Sequence, residues 1–176
     1  MEGIDMATYV LLDNDNPILS VPLSGLSEDL DRGTLTENLV ETMREYKGIG
    51  LSASQCGVME RVFVMYSDVK ERKIISCYNP QILEYSEEIV EMDEGCLTFP
   101  GLWLKIKRPE GIKVQFEDER GTKQEYQMFG LESRIFQHEM DHMEGTDFTR
   151  RVSKLRLDMG LRRRKKMRKK SMISKT

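Results

Sequence analysis

The chain has 176 residues, 39% apolar and 32% charged, which suits one soluble globular domain with a sizeable core. Its net charge of -3 hides a split, because residues 1–149 carry 14 Lys/Arg against 29 Asp/Glu while residues 150–176 carry 13 against 1. No apolar run reaches the roughly 20 residues that span a bilayer, and no basic, then apolar leader opens the chain. Three cysteines at no framework spacing point to free thiols in a reducing compartment rather than to a disulfide scaffold.

Residues 1–26 read as irregular, with "DNDNP" as a turn. "TLTENLVETMREYKG" reads as a helix: Thr34 and Glu37 fit a capping box, Leu35, Leu39 and Met43 recur at helical spacing, and Gly48 stops it. "GIGLSASQCG" reads as a Gly- and Ser-rich loop. "RVFVMYS", "KIISCYNP" and "EEIVEMDEG" are strand-like. "CLTFPGLW" is a turn-bounded segment, and "GIKVQFEDERGTKQEYQM" is a hairpin closed at "DERG". A second helix is expected over about 131–144, with Leu131, Ile135, His138 and His142 on one face. A third, over about 149–170, merges into the basic run. Strands fill the middle and helices flank them, which predicts an α+β fold.

The chain's two histidines both lie in "QHEMDHMEG". On a helix, His138 and His142 sit one turn apart and can turn two rings to one point, with Glu139 beside the first to act on a water there. That is the H-E-x-x-H arrangement of a catalytic metal site. Such a site takes a third protein ligand. Downstream choices are poor: position 148 is Phe, and no Glu follows Glu144. An upstream cysteine is therefore expected. Cys77 lies in an apolar strand and reads as inert, Cys56 follows Gln55 in the loop, and Cys96 in "DEGCLTFPG" is the preferred ligand.

Three segments, "GIGLSASQ", "EGCLTFPG" and "QHEMDH", resemble in order the three signatures of the peptide deformylase family, approximately G-φ-G-φ-A-A-x-Q, E-G-C-L-S and Q-H-E-x-D-H, where φ is apolar. The similarity covers roughly residues 10–150. It implies antiparallel sheets packed around a central helix that carries the HEMDH motif, followed by a C-terminal helix and basic tail. It also implies that Cys96, His138 and His142 bind one divalent ion, Fe(II) in vivo with Zn(II) or Ni(II) as alternatives, and that a water completes the site. Glu139 would be the general base and acid. The Gln55 amide and the Leu97 N–H would hold the oxyanion as an N-formylmethionyl peptide loses formate. Ile49, Gly50 and Gly95 match substrate-contacting positions. Leu131 and Ile135 either line a methionine pocket or simply pack in the core. Ser52 stands where Ala is usual and Thr98 where Ser is usual. Met143 replaces a common Leu. Arg134 takes a place that is apolar in some members, where it would shape the pocket mouth or the affinity for an acidic peptide.

The expected organisation is a catalytic domain over 1–150 and a basic helix or tail over 151–176. That tail suits contact with ribosomal or other RNA, or else a solvated tail balancing an acidic body. A monomer in the cytoplasm of a bacterium or a virus-infected bacterial cell, with no membrane contact, is expected; an organelle is a further setting. Two other readings compete with deformylation. A metalloendopeptidase lacks its downstream ligand here. A non-catalytic RNA- or ribosome-binding protein with a structural metal would have no use for Glu139.

Overall fold

The computed structural model describes residues 8–173, with side chains through Lys170. The readings placed on residues 1–7 and 174–176 fall outside that range. Among the described residues there are three α-helices, α1 (Arg32–Glu45), α2 (Gly130–Met143) and α3 (Lys154–Ile173). The strands are β1 (Gly50–Ser52), β2 (Val62–Asp68), β3 (Lys73–Tyr85), β4 (Ile89–Glu94), β5 (Leu104–Pro109), β6 (Gly111–Glu117) and β7 (Lys123–Phe129). β1, β2, β3, β6 and β7 form one antiparallel sheet in that order, and β4 and β5 form a separate antiparallel pair.

The α+β expectation holds, and the layering explains the pattern of β2. Phe63 and Met65 face α2 and join Phe136, Ile135 and Met143 in one core. Val62, Val64 and Tyr66 face the other way and meet Leu35, Leu39 and Met43 of α1. Because helices cover both faces, "VFVMY" is apolar throughout instead of alternating.

Several local expectations need correcting. Asp31, not Thr34, caps α1: its carboxylate accepts from the Thr34 N–H at 3.1 Å and from the Thr34 hydroxyl at 2.8 Å. An aspartate three residues earlier offers the same satisfaction of free N–H groups and is charged. "GIGLSASQCG" is not a loop but β1 followed by a 3₁₀ turn, Ala53–Cys56. β5 escaped the sequence reading altogether. Its residues alternate, with Leu104, Ile106 and Arg108 inward and Lys105 and Lys107 outward, but a buried arginine and two lysines disguise the period. The expected third helix is two pieces, a 3₁₀ turn over Phe148–Arg151 and then α3.

α3 docks on β5 through its first turns. Leu157 and Leu161 pack on the cluster of Leu102, Leu104, Ile106 and Phe148. Gly160 lies between them at helical spacing, where an added Cβ would come 2.6 Å from Leu104 Cδ2 and 3.2 Å from Leu102 Cδ1. Gly160→Val therefore overpacks this seam and lowers stability by about 1–3 kcal/mol. Urea unfolding checks this, and a wild-type midpoint in the variant would refute the seam as a tight contact.

Candidate metal centre and its cavity

α2 is built to present the reactive face. Its N-terminal half is anchored in the core by Ile135 and Phe136. One turn later His138 and His142 come to one side, with ring centroids 5.3 Å apart. The turn that leaves β4 brings Cys96 against them. The candidate ligand atoms of Cys96, His138 and His142 all lie within 4.8 Å of one another. Cys96 Sγ is 3.4 Å from His142 Nε2. A tetrahedral site with ordinary metal–sulfur and metal–nitrogen bonds has an S–N edge of about 3.5 Å. The geometry therefore fits a single metal ion.

The His138 ring is oriented from behind. Its Nδ1–H donates to Glu94 Oε2 at 2.9 Å, which leaves Nε2 free to ligate. Charge within the cluster is mutually supported. Burial pushes the Cys96 thiol up, but the His142 charge and hydrogen bonds from both rings reverse this and bring it to about 5. Burial likewise favours neutral rings, and the Cys96 sulfur outweighs it and holds both histidines above their ordinary value. A divalent cation would take the place of the protons that this cluster otherwise attracts.

Glu139 sits beside the ligands. Burial raises its carboxyl to about 7, against the pull of His138 and His142. Its Oε2 is buried with no hydrogen-bond partner among the described residues. An unsatisfied carboxylate oxygen is costly, and this carboxyl lies close enough to His138, His142 and Cys96 to feel their charges. Gly50 makes room for it, because a Cβ there would run into Glu139 Oε1 and would lie 2.9 Å from Ile135 Cγ2. Gly48 does the same for Leu97, whose Cδ1 would be 2.7 Å from an added Cβ. Gly48 was expected to stop α1. The positive φ of 56° after that helix instead falls on Lys47.

Gln55 is held in one orientation. Its Oε1 accepts from the Ser52 N–H at 2.9 Å and the Ser52 hydroxyl at 3.1 Å. Its Nε2 must then point the other way. It donates to Thr98 Oγ1 at 2.9 Å and approaches Cys96 Sγ at 3.5 Å. Ser52 and Thr98, the two departures from the usual motifs, thus meet at the same amide.

Of Cys96, His138, His142, Glu139, Gln55, Leu97, Ile49, Gly50, Gly95, Leu131 and Ile135, all but His142 line one cavity of about 460 Å³. Ile135 is buried and belongs to both core and cavity, whereas Leu131 is 42% exposed and forms part of the rim. Cys56 lies away from the ligand cluster, and burial pushes its thiol up to about 12. Cys77 is buried in the sheet core, as expected.

Sequence reading missed the charges behind the site. Arg108 is 1% exposed. It donates from Nε to Glu94 Oε1 at 2.6 Å, and from its Nη2 to Glu94 Oε2 and Asp141 Oδ2, both at 2.9 Å. Arg151 pairs with Asp141 from the other side. Arg134 also turns inward. It donates to Glu94 Oε1 and Ile106 O, each at 2.9 Å, and to Val90 O at 2.7 Å. The expectation that Arg134 draws an acidic peptide is corrected: it borders the cavity, but buried acceptors occupy its guanidinium.

Residues 10–158 match the family model described as polypeptide deformylase. The chain belongs to that family. The peptide deformylase of Thermotoga maritima is 39% identical, over 75% of this chain and 77% of that one. The peptide deformylase of Novosphingobium aromaticivorans is 35% identical, over 93% and 99%. The crystal structure of a peptide deformylase from Legionella pneumophila superposes with a TM-score of 0.83 at 30% identity, covering 94% of this chain and 98% of that one. Shared length and fold agree with the order of motifs along the chain, and Cys96, His138 and His142 form a donor set able to hold the ion of a metallohydrolase.

Proposed function

We propose that this chain hydrolyses the N-formyl group of formylmethionyl peptides, and that Glu139 is its base. The observation that carries the assignment is the buried, unpartnered Glu139 Oε2 beside the Cys96, His138 and His142 cluster at the inner end of an open cavity. Those three side chains would hold one divalent ion, with Fe(II) the physiological choice and Zn(II) or Ni(II) able to replace it, since one thiolate and two imidazoles suit all three. Bound there, the ion supplies Lewis acidity and makes a water acidic enough to ionise near neutral pH.

The protein supplies the rest. Glu139 takes the proton of the attacking water and returns one to the departing amine. A carbon–oxygen bond forms at the formyl carbon and its bond to nitrogen breaks, giving formate and a free methionine N-terminus. Gln55 Nε2 and the Leu97 N–H stabilise the negative oxygen in between. A neutral amide suits that task, because it does not compete with Glu139 for the proton. Gly50, Ile49 and Gly95 flank the peptide backbone, and Ile135 with Leu131 receives the methionine side chain.

Residues 1–150 form the catalytic unit in this reading, and 151–176 serve as a basic appendage. Between Arg162 and Lys170 the helix carries eight Lys/Arg, which suits contact with the phosphates of ribosomal RNA near emerging chains. No helix among the described residues is long and apolar enough to cross a membrane. A monomer working in the cytoplasm completes the proposal.

The test is anaerobic purification, metal analysis, and measurement of formate released from formyl-Met-Ala-Ser. Stoichiometric metal with catalytic formate release is expected. A fully metallated protein that releases no formate would overturn the assignment, and cleavage of internal peptide bonds would replace it with an endopeptidase.

A further inference from the structure

We propose that Trp103 is the platform for the peptide beyond formylmethionine and confers a preference for a large apolar second residue. The inference rests on the reading of the cavity given above.

Trp103 is the chain's one tryptophan, and it is 59% exposed. An exposed indole on a cavity wall is a common mark of a binding surface. Its exposure does not come from a loose loop. The neighbours Leu102 and Leu104 are buried beneath α3. The turn before it is closed by Phe99 N–H donating to Cys96 O and Leu102 N–H donating to Phe99 O, both at 3.0 Å. The backbone is therefore anchored while the ring stands outward.

The ring also has a defined place. Three of its carbons lie 3.2 Å from where a Cβ on Gly95 would be, so the indole covers Gly95, and any larger residue there would push the ring by a few tenths of an ångström. Gly95 adjoins Cys96, which puts the plate one residue from a metal ligand. Tyr46 and Ile49, 41% and 42% exposed, form other parts of the same cavity wall. The cavity thus has a reactive inner end at Glu139 and an apolar rim.

Peptide geometry connects the two. An extended peptide advances about 3.3 Å per residue, and successive side chains point to opposite faces. With methionine turned toward Ile135, the next side chain turns away from it, toward the rim. There the indole face offers apolar area to leucine or phenylalanine and nothing to glycine.

The test compares formyl-Met-Leu-Ser with formyl-Met-Gly-Ser on the metallated enzyme. Wild type prefers the leucine peptide. In Trp103→Ala, KM for that peptide rises about tenfold with kcat within about twofold, and the preference collapses. Trp103→Phe restores most of it, which a purely structural role would not predict. The chain's single indole gives a direct readout: the product Met-Leu-Ser shifts the emission of Trp103 at the concentrations where it inhibits formate release. An intact leucine preference in Trp103→Ala, or inhibition by Met-Leu-Ser without an emission change, overturns the proposal. If neither peptide yields formate, the reaction assigned above falls instead, and the emission titration decides whether Trp103 receives a peptide.

Discussion

Glu139→Gln lowers formate release by about 10²–10⁴-fold and leaves the metal content unchanged. The amide has the volume of the carboxylate, so it fits beside Gly50, where no Cβ competes for space. It cannot accept the proton of an attacking water. Cys96, His138 and His142 are untouched, so metal analysis of the variant should match wild type. The rate also has a predicted pH dependence. Burial holds the Glu139 carboxyl up at about 7, so the base is lost as pH falls below that value. A cation bound beside it favours the charged form and moves this limb to lower pH. Profiles of kcat/KM against pH for both proteins check the assignment: wild type shows the acid limb and the variant lacks it. A variant retaining a tenth of wild-type activity would exclude Glu139 as the base.

Arg108→Ala destabilises the protein by about 3–5 kcal/mol, the usual cost of leaving buried charge unpaired. The Arg108 side chain is fully buried and bridges Glu94 and Asp141. Without it two buried carboxylates lose their shared cation, and Glu94 also orients His138. Weaker metal retention should accompany the loss of stability. Arg108→Lys keeps the charge but not the forked contact, and should fall between.

The same network predicts how stability depends on acid. Burial alone would raise both carboxyls. Arg108 and His138 hold Glu94 well below the usual carboxylate range, and Arg151 with Arg108 does so for Asp141. Folded values below unfolded ones mean that this stabilisation is complete above the unfolded values, near 4, and is lost as pH falls toward the folded ones. Urea midpoints from pH 7 to pH 3 should drop steeply for wild type and less for Arg108→Ala. Parallel curves would show that Arg108 does not hold these carboxylates down.

Much of the chemistry was legible because it is local. H-E-x-x-H needs only the helical period to bring two rings to one point, and that period is written in Leu131, Ile135, His138 and His142. Four strands of the central sheet were equally plain from their β-branched and aromatic runs, whereas the short β1, Gly-flanked and without such a run, read as a loop. One local signal was present and unread. Ser52 and Gln55 have the S-x-x-Q spacing of a capping box, and it is that reach of Gln55 back to the Ser52 N–H that aims its amide at Cys96.

What the sequence by itself determined, then, was the helix that carries both histidines with Glu139 between them, and the class of fold, each a matter of residues a few positions apart. Only the tertiary structure decided what surrounds them. It joined Glu94 and Arg108 from two paired strands to Asp141 on α2, aimed Arg134 inward, and laid Trp103 over Gly95. Charged side chains read as solvent-facing in a sequence because their burial is unfavourable alone. Whether a partner waits inside is a property of the packed chain, and no spacing along one strand records it.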